Sequence, residues 1–331
     1  MPLFERALLH GDRAALADAG GTSSYGQLLA RAEHGAHGLL DRLAPERRDL
    51  EEARIALLVT PSVDWVVAQW AVWRAGGMAV PLCVAHPVPE LEHVLRDSDA
   101  SAVLCSEDLA AIGEETARRA GCVAIPVGVL GPSDPREAGH SSSVLPILSS
   151  ARRALIVYTS GTTGRPKGVV TTHANLSSQM ATLVEAWGWH SNDRILEVLP
   201  LHHVHGIVNV VGCALWSGAC CELLPGFDPE AVWRRLASGE MTLFMAVPTI
   251  YAKLIESWRR QPGTVRESWS RGAADLRLMV SGSAALPERV LHEWQEITGH
   301  RLLERYGMSE TGMIRSNPLD GERGPGSVGA P

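Results

Sequence analysis

Apolar residues along this chain follow two rhythms. Short, mostly apolar runs of strand length recur at 55–60, 101–105, 154–158, 195–199, 242–247, 276–280 and 302–306. Between them lie longer segments in which an apolar residue returns every three or four positions, as in Trp65, Val66, Gln69, Trp70 and Trp73, or Pro229, Val232, Trp233 and Leu236. Such runs, apolar on both sides of an extended chain, suit strands buried on both faces. Their alternation with helical segments predicts an α/β fold of layered sheets flanked by helices. The most apolar stretches, 66–84 and 207–221, are interrupted by Gln69, Arg74 and Gly76 and by Asn209, Gly212 and Ser217, so neither predicts a transmembrane segment. The passage 128–146, rich in Gly, Pro and Ser, predicts a surface linker between two sub-domains.

Composition narrows the function classes. The 331 residues are 45% hydrophobic and 20% charged, an ordinary globular balance, with a formal net charge of −7. That sign gives no general attraction to phosphate backbones and argues against nucleic acid as the main partner. Cys83, Cys105, Cys122, Cys213, Cys220 and Cys221 show no metal-ligand spacing and sit mostly among apolar residues, which predicts buried free thiols in a reducing compartment. The opening MPLFE lacks the basic and apolar regions of a secretory signal. A cytoplasmic protein is the expectation, or a mitochondrial matrix protein whose transit peptide has been removed.

The segment YTSGTTGRPKG at 158–168 is the densest in chemistry. It follows a strand-like run and combines glycines, hydroxyls and a lysine. These are the features of a phosphate cradle: close approach of backbone N–H groups, added donors and a positive charge. The lysine lies three residues after Gly164 with Gly168 behind it, so the spacing differs from G-x-x-x-x-G-K-[ST].

Three further stretches follow in order: LPLHHVHG at 199–206, VSGSAALP at 280–287 and ERYGMSET at 304–311. With the glycine-rich segment they resemble the adenylate-forming superfamily of acyl-CoA synthetases, luciferases and peptide-synthetase adenylation domains, over nearly the whole chain. The resemblance implies the large N-terminal domain of that fold. It implies that Thr159, Ser160, Gly161, Thr162, Thr163, Gly164 and Lys167 hold ATP phosphates. Gly282, Ser283, Ala284 and Ala285 would line the adenine, Tyr306 would stack on it, and Gly307, Ser309 and Glu310 would complete the nucleotide site. Glu310 is the carboxylate expected to hold Mg²⁺, with Thr162 a second candidate ligand, and Lys167, Glu310 and His203 form the catalytic set. Ser309 stands where the family usually has Thr. CoA is the implied second substrate.

For the acid, the resemblance is nearest to malonyl-CoA synthetases, whose wording LPLxHVHG, VPTxY plus a basic residue, RLxVSGSAALP and ERYGMTE is matched closely here. His203, His205, Ser281, Ser283 and Met308 are the implied acid contacts. On an extended backbone His205 would face the same side as His203, and Ser281 and Ser283 would share one strand face, where both hydroxyls can meet a second carboxylate. A buried dianion needs a cation. Lys253, about one turn into a helix expected to open at Thr249, is the first choice, although the bacterial malonate enzymes tend to have Arg there. Arg277 is the second, roughly 13 Å along a strand from Ser281.

The expected activity is ATP-dependent conversion of a short dicarboxylic acid, malonate or methylmalonate, to its adenylate and CoA thioester. The alternatives are a medium-chain or aryl ligase of the same fold, and a nucleotide-binding module with little activity. The resemblance also implies a mobile C-terminal domain beyond this chain, which would be the functional partner.

Overall fold

The computed structural model describes residues 2–131, 144–159 and 164–330. They form two compact units, Met1–Ser178 with Pro200–Val204, and Gln179–Leu199 with His205–Pro331.

In the first unit, helix α1 (Pro2–His10) precedes the hairpin β1 (Ala14–Asp18) and β2 (Gly21–Ser24). Helix α2 (Tyr25–Leu43) follows at once, because Ser24 and Gln27 form a reciprocal capping box across its first turn. Next come β3 (Arg54–Leu58), α3 (Val63–Arg74), β4 (Met78–Pro81), α4 (Val88–Asp97), β5 (Ala100–Cys105), α5 (Ala110–Ala120), β6 (Val123–Pro126), β7 (Arg153–Thr159) and β8 (Lys167–Thr172). The sheet order is β6-β5-β3-β4-β7-β8, with every neighbouring pair parallel except β7 and β8. Ala56, Leu58, Val80 and Val103 are completely buried at its centre. The apolar stretch at 66–84 is α3 followed by β4, and both are buried almost throughout. No helix among the described residues is long and apolar enough to cross a membrane.

Helix α6 (His173–Ala186) contains the division between the units. The second unit continues with β9 (Arg194–Glu197), a π-helical turn (His205–Gly212), α7 (Cys213–Ser217), β10 (Cys220–Leu223), α8 (Pro229–Leu236) and β11 (Leu243–Ala246). Then follow α9 (Pro248–Arg259), α10 (Gly263–Ala274), β12 (Leu278–Ser281), α11 (Glu288–Thr298), β13 (Leu303–Met308) and β14 (Gly312–Ser316). Its strands run β14-β13-β12-β11-β9-β10, parallel from β13 to β10, with β14 antiparallel to β13. The helical layer is held by tryptophans. The Trp233 ring stacks on Trp269 at 5.5 Å and on Trp294 at 5.3 Å, and its Nε1 donates to Leu254 O at 2.8 Å.

Every strand-like run of the sequence is a strand, displaced by a residue or two at its ends. The short or partly exposed strands β1, β2, β6, β8 and β14 carry no such run. Of the expected linker at 128–146, residues 132–143 lie outside the described residues, and Val129 and Leu130 before them are buried. The chain returns from it into β7, whose Leu155 pairs with Ala79 of β4. The passage 128–146 therefore connects strands within the first unit, and the division falls instead at Ser178/Gln179. All six cysteines are free and four are buried, and burial pushes Cys105 up to about 12.

His173, 2% exposed, opens α6 with its ring edge-on to Trp73 at 5.6 Å. Burial, reinforced by Arg152, lowers its pKa to about 4. Between pH 6.5 and about 4 the unfolded chain therefore binds a proton that the folded chain refuses, and stability falls with pH through that window. His173→Leu should flatten this fall, removing on the order of 3 kcal/mol of destabilisation at pH 4 relative to pH 7, read from urea denaturation at each pH.

Candidate active site

In the first unit, β7 delivers Tyr158 and Thr159 to the glycine-rich segment and β8 leaves it at Lys167, with Tyr158 paired to Gly168 and Thr159 to Lys167. The segment thus connects an antiparallel pair and does not open a helix. Lys167, at the start of β8, is exposed. Ser160, Gly161, Thr162 and Thr163 lie outside the described residues. Gly164 sits at φ +93, which favours glycine, and a Cβ on Gly168 would come within 2.7 Å of the Ile156 side chain. Tyr158 anchors the root of the segment to α4 by donating its hydroxyl to Asp97 at 2.7 Å.

Beside it opens a cavity of about 900 Å³, lined in part by Cys83, His86, Thr159, Arg165, His202 and His203. The His202 ring lies 4.1 Å from that of His203 and 6.3 Å from that of His86. Burial lowers His202 to about 3 and also lowers His203, where His86 adds to the effect. Both rings are neutral at pH 7.

In the second unit the motif residues collect at one edge, because the parallel strands β9, β11 and β12 all end on the same side. Ligands in open α/β sheets bind outside such carboxyl ends. Beyond β9, the buried Glu197 carboxyl accepts the Leu199 N–H and so shapes the start of the 199–206 stretch; burial raises its pKa to about 8. Beyond β12 the chain turns sharply through 282–287 into α11. Ser283 takes the left-handed conformation, φ +67, a strained state for a non-glycine residue. That turn brings its Oγ within 3.2 Å of Nδ1 of His205, which is 4% exposed, and within 3.3 Å of the Arg305 guanidinium, which donates to it through Nη2.

Arg305 is the unusual member of this group. It is 3% exposed, no carboxylate of the described residues pairs with it, and its Nε has no partner. Burial alone lowers its pKa to about 10, so it remains a cation at pH 7. A buried unpaired charge costs several kcal/mol, and an anionic ligand would remove that penalty. Next along β13, a bulge at Tyr306/Gly307 turns the strand. Tyr306 is 45% exposed, and a Cβ on Gly307 would lie 2.3 Å from Gly312 O. Tyr306 is thus an accessible ring and no part of the core. Met308 is also partly exposed, Ser309 and Glu310 occupy the turn before β14, and Glu310 is exposed.

The AMP-binding enzyme family matches residues 3–331. The chain belongs to that family. It is 44% identical to the mitochondrial malonate–CoA ligase ACSF3 of Xenopus laevis and 45% identical to that of Homo sapiens, covering 100% of this chain and 59% and 58% of those proteins. Identity to the malonate–CoA ligase of Arabidopsis thaliana is 39%, over 99% of this chain and 58% of that protein. The ATP-bound crystal structure of MatB from Rhodopseudomonas palustris superposes with a TM-score of 0.83 at 33% identity, covering 99% of this chain and 64% of MatB. The chain thus spans well under two thirds of the length of these relatives.

As a member of the AMP-binding family, the chain keeps the motif residues, but tertiary structure corrects several expectations about them. Arg277 is set aside as an acid anchor, because its Nε and Nη2 hold Asp193 at 2.7 and 2.5 Å. Although burial works against ionisation of Asp193, donation from Arg277, the His190 N–H and Thr242 keeps its pKa low. Helix α9 starts at Pro248 with Val247 as its cap, so Thr249 is already inside it. Lys253 lies on its exposed face, Nζ 5.9 Å from the centre of the Phe227 ring, and no hydrogen bond joins it to Ser283, His205 or Arg305. His205 begins a π-helical turn, so the argument from strand parity with His203 fails. Ser281 ends β12 with a buried, unpartnered Oγ, whereas Ser283 lies in the turn beyond, so the two do not share a strand face. Sequence reasoning passed over Arg305 because it looked like part of a motif known for its tyrosine. The available signal was a basic residue inside a strand-like run, at 302–306, that opens with Leu302 and Leu303.

Gly282 packs against that cation: a Cβ there would meet Arg305 Nε at 2.5 Å in a site with no room to yield. Gly282→Ala should cost about 1–3 kcal/mol of stability in urea denaturation, as overpacking does in a tight interior.

Proposed function

We propose that the whole protein uses ATP to activate a short dicarboxylic acid, malonate or methylmalonate, and passes the acyl group to CoA, and that this chain supplies the nucleotide- and acid-binding part. Arg305 carries the reading. It is a buried cation without a counter-ion, flanked by the Ser283 hydroxyl and the His205 ring, and it offers the donors that a second carboxylate requires. Malonate–CoA ligases among the relatives, and a malonyl-CoA ligase structure that holds methylmalonyl-CoA and AMP at 34% identity, support it.

In the first step an oxygen of the near carboxylate forms a bond to the α-phosphorus of ATP as pyrophosphate leaves. A carboxylate is already nucleophilic at pH 7, so the demand on the protein is charge stabilisation and positioning. Thr159, Gly164 and Lys167 are assigned to the phosphates, with Ser160, Gly161, Thr162 and Thr163 of the same segment. Gly282, Ala284, Ala285 and Tyr306 are assigned to the adenine and His203 to the near side of the acid. The described residues contain no cluster of three or more His, Cys, Asp or Glu able to cage a metal. That suits magnesium, which favours phosphate oxygens, waters and one or two carboxylates, and the exposed Glu310 is the residue that would share it. When bound, the ion neutralises phosphate charge. In the second step the CoA sulfur forms a bond to the acyl carbon, AMP leaves with the electrons of the broken C–O bond, and the thiol loses its proton. The free thiols favour a reducing compartment, the cytoplasm or the mitochondrial matrix, and the vertebrate relatives are named as mitochondrial.

Titration calorimetry of the chain with Mg-ATP and malonate tests this. Arg305→Gln should weaken malonate by about 30-fold or more, the loss of a charged hydrogen-bonding partner, and leave acetate nearly unchanged. Lys253→Ala should change neither acid beyond about twofold, the weight of an exposed charge. A chain that prefers benzoate or octanoate to malonate sinks the substrate assignment.

A further inference from the structure

The cavity beside the glycine-rich segment contains an arrangement that the roles above do not use. His203, His202 and His86 follow one another, with ring centres 4.1 Å apart for the first pair and 6.3 Å for the second. At the outer end, Nδ1 of His86 lies 3.3 Å from Oε2 of Glu90 on α4. Both ends are tied to the backbone. His203 N donates to Pro200 O at 3.2 Å, and His86 N donates to Cys83 O at 3.1 Å. We propose that His202 and His86 are positioning residues for His203, forming with it a ladder of imidazoles that holds its ring at the cavity wall with one nitrogen unprotonated. The proposal rests on the assignment of His203 to the acid.

The physical case has two parts. The His202 ring packs against His203 at a tilt of 47° between the planes, which shields part of the His203 ring from water and limits its rotation. A proton on His203 would then lie in a poorly hydrated site, next to a second imidazole and within the field of His86, and each of these disfavours it. Burial as the first cause, with His86 second, lowers His203 in accord with that geometry. The other charged groups at the wall do not oppose the effect. Glu92 is engaged by Arg96 at 2.9 Å and Tyr158 by Asp97 at 2.7 Å, and His93 and Arg165 also line the wall. Glu90 faces His86 at the outer end of the ladder. The neutral base that results suits a site in which a thiol must give up a proton.

The test is an NMR titration of the full chain with ¹³C-labelled histidine rings, the His203 signal being identified by its loss in His203→Gln. In the wild type, His203 should stay neutral to a pH clearly below the free-imidazole midpoint of about 6.5. In His202→Ala the midpoint should rise toward that value. In His202→Phe, which keeps a ring in the stack, it should remain low. In His86→Gln it should rise by a smaller amount. Equal midpoints in wild type, His202→Ala and His86→Gln overturn the ladder, and so does a His202→Phe midpoint as high as that of His202→Ala. Should His202→Ala fail to fold, an unmoved midpoint in His86→Gln is by itself decisive against it. The titration needs no substrate, so its failure leaves the acid-activation reading standing, and failure of Mg-ATP and malonate to bind leaves the titration result intact.

Discussion

Parallel strands buried on both faces leave a protein little room for polar chemistry except at the strand ends. β9, β11 and β12 are apolar for most of their length, and helices cover them. Their carboxyl ends point one way, so the residues that follow them, from Leu199, from Val247 and from Gly282, emerge along one edge of the second unit. Chain segments far apart in sequence meet there without any long excursion. The first unit applies the same rule to β3, β4 and β5, while β8 runs antiparallel to β7 at the glycine-rich segment.

Within that setting the second unit holds the buried Arg305 cation, with which no carboxylate of the described residues pairs. The Arg305 guanidinium is enclosed by the β12 turn and the π-helical turn, with a serine hydroxyl as its hydrogen-bond acceptor. An internal ion pair would be the ordinary remedy, and the unit uses it elsewhere: Arg277 with Asp193, and Arg194 and Arg235 with Glu222. Leaving Arg305 without a carboxylate lowers stability. Structures that carry such a cost commonly recover it when a ligand of opposite charge binds. The left-handed backbone of Ser283 is a second local cost at the same place, and it points the hydroxyl toward the same cation.

His203 and His205, two residues apart, play different parts because the backbone changes type between them. His203 sits in a turn of the first unit with its ring against that of His202. His205 begins a π-helical turn of the second unit and is buried beside Ser283. Wider helical turns of this kind are rare and concentrate where a side chain must be re-aimed.

Much of this was legible in the sequence. Mostly apolar runs marked the central strands, since a strand covered on both faces leaves few positions for a polar residue, and the ordered motifs identified the family. Legibility ended where a residue's role depends on partners distant in the chain. Arg277 and Arg305 are both basic residues at strands of one sheet, and only the position of Asp193, 84 residues from Arg277, neutralises one and leaves the other bare. Lys253 has the right charge, but helix packing through Tyr251 and Leu254 turns it outward. The sequence by itself determined which chemical groups are present and that they lie near strand ends. The tertiary structure decided which cation is buried and unpaired, because charge compensation is set by distances in space that sequence spacing does not contain.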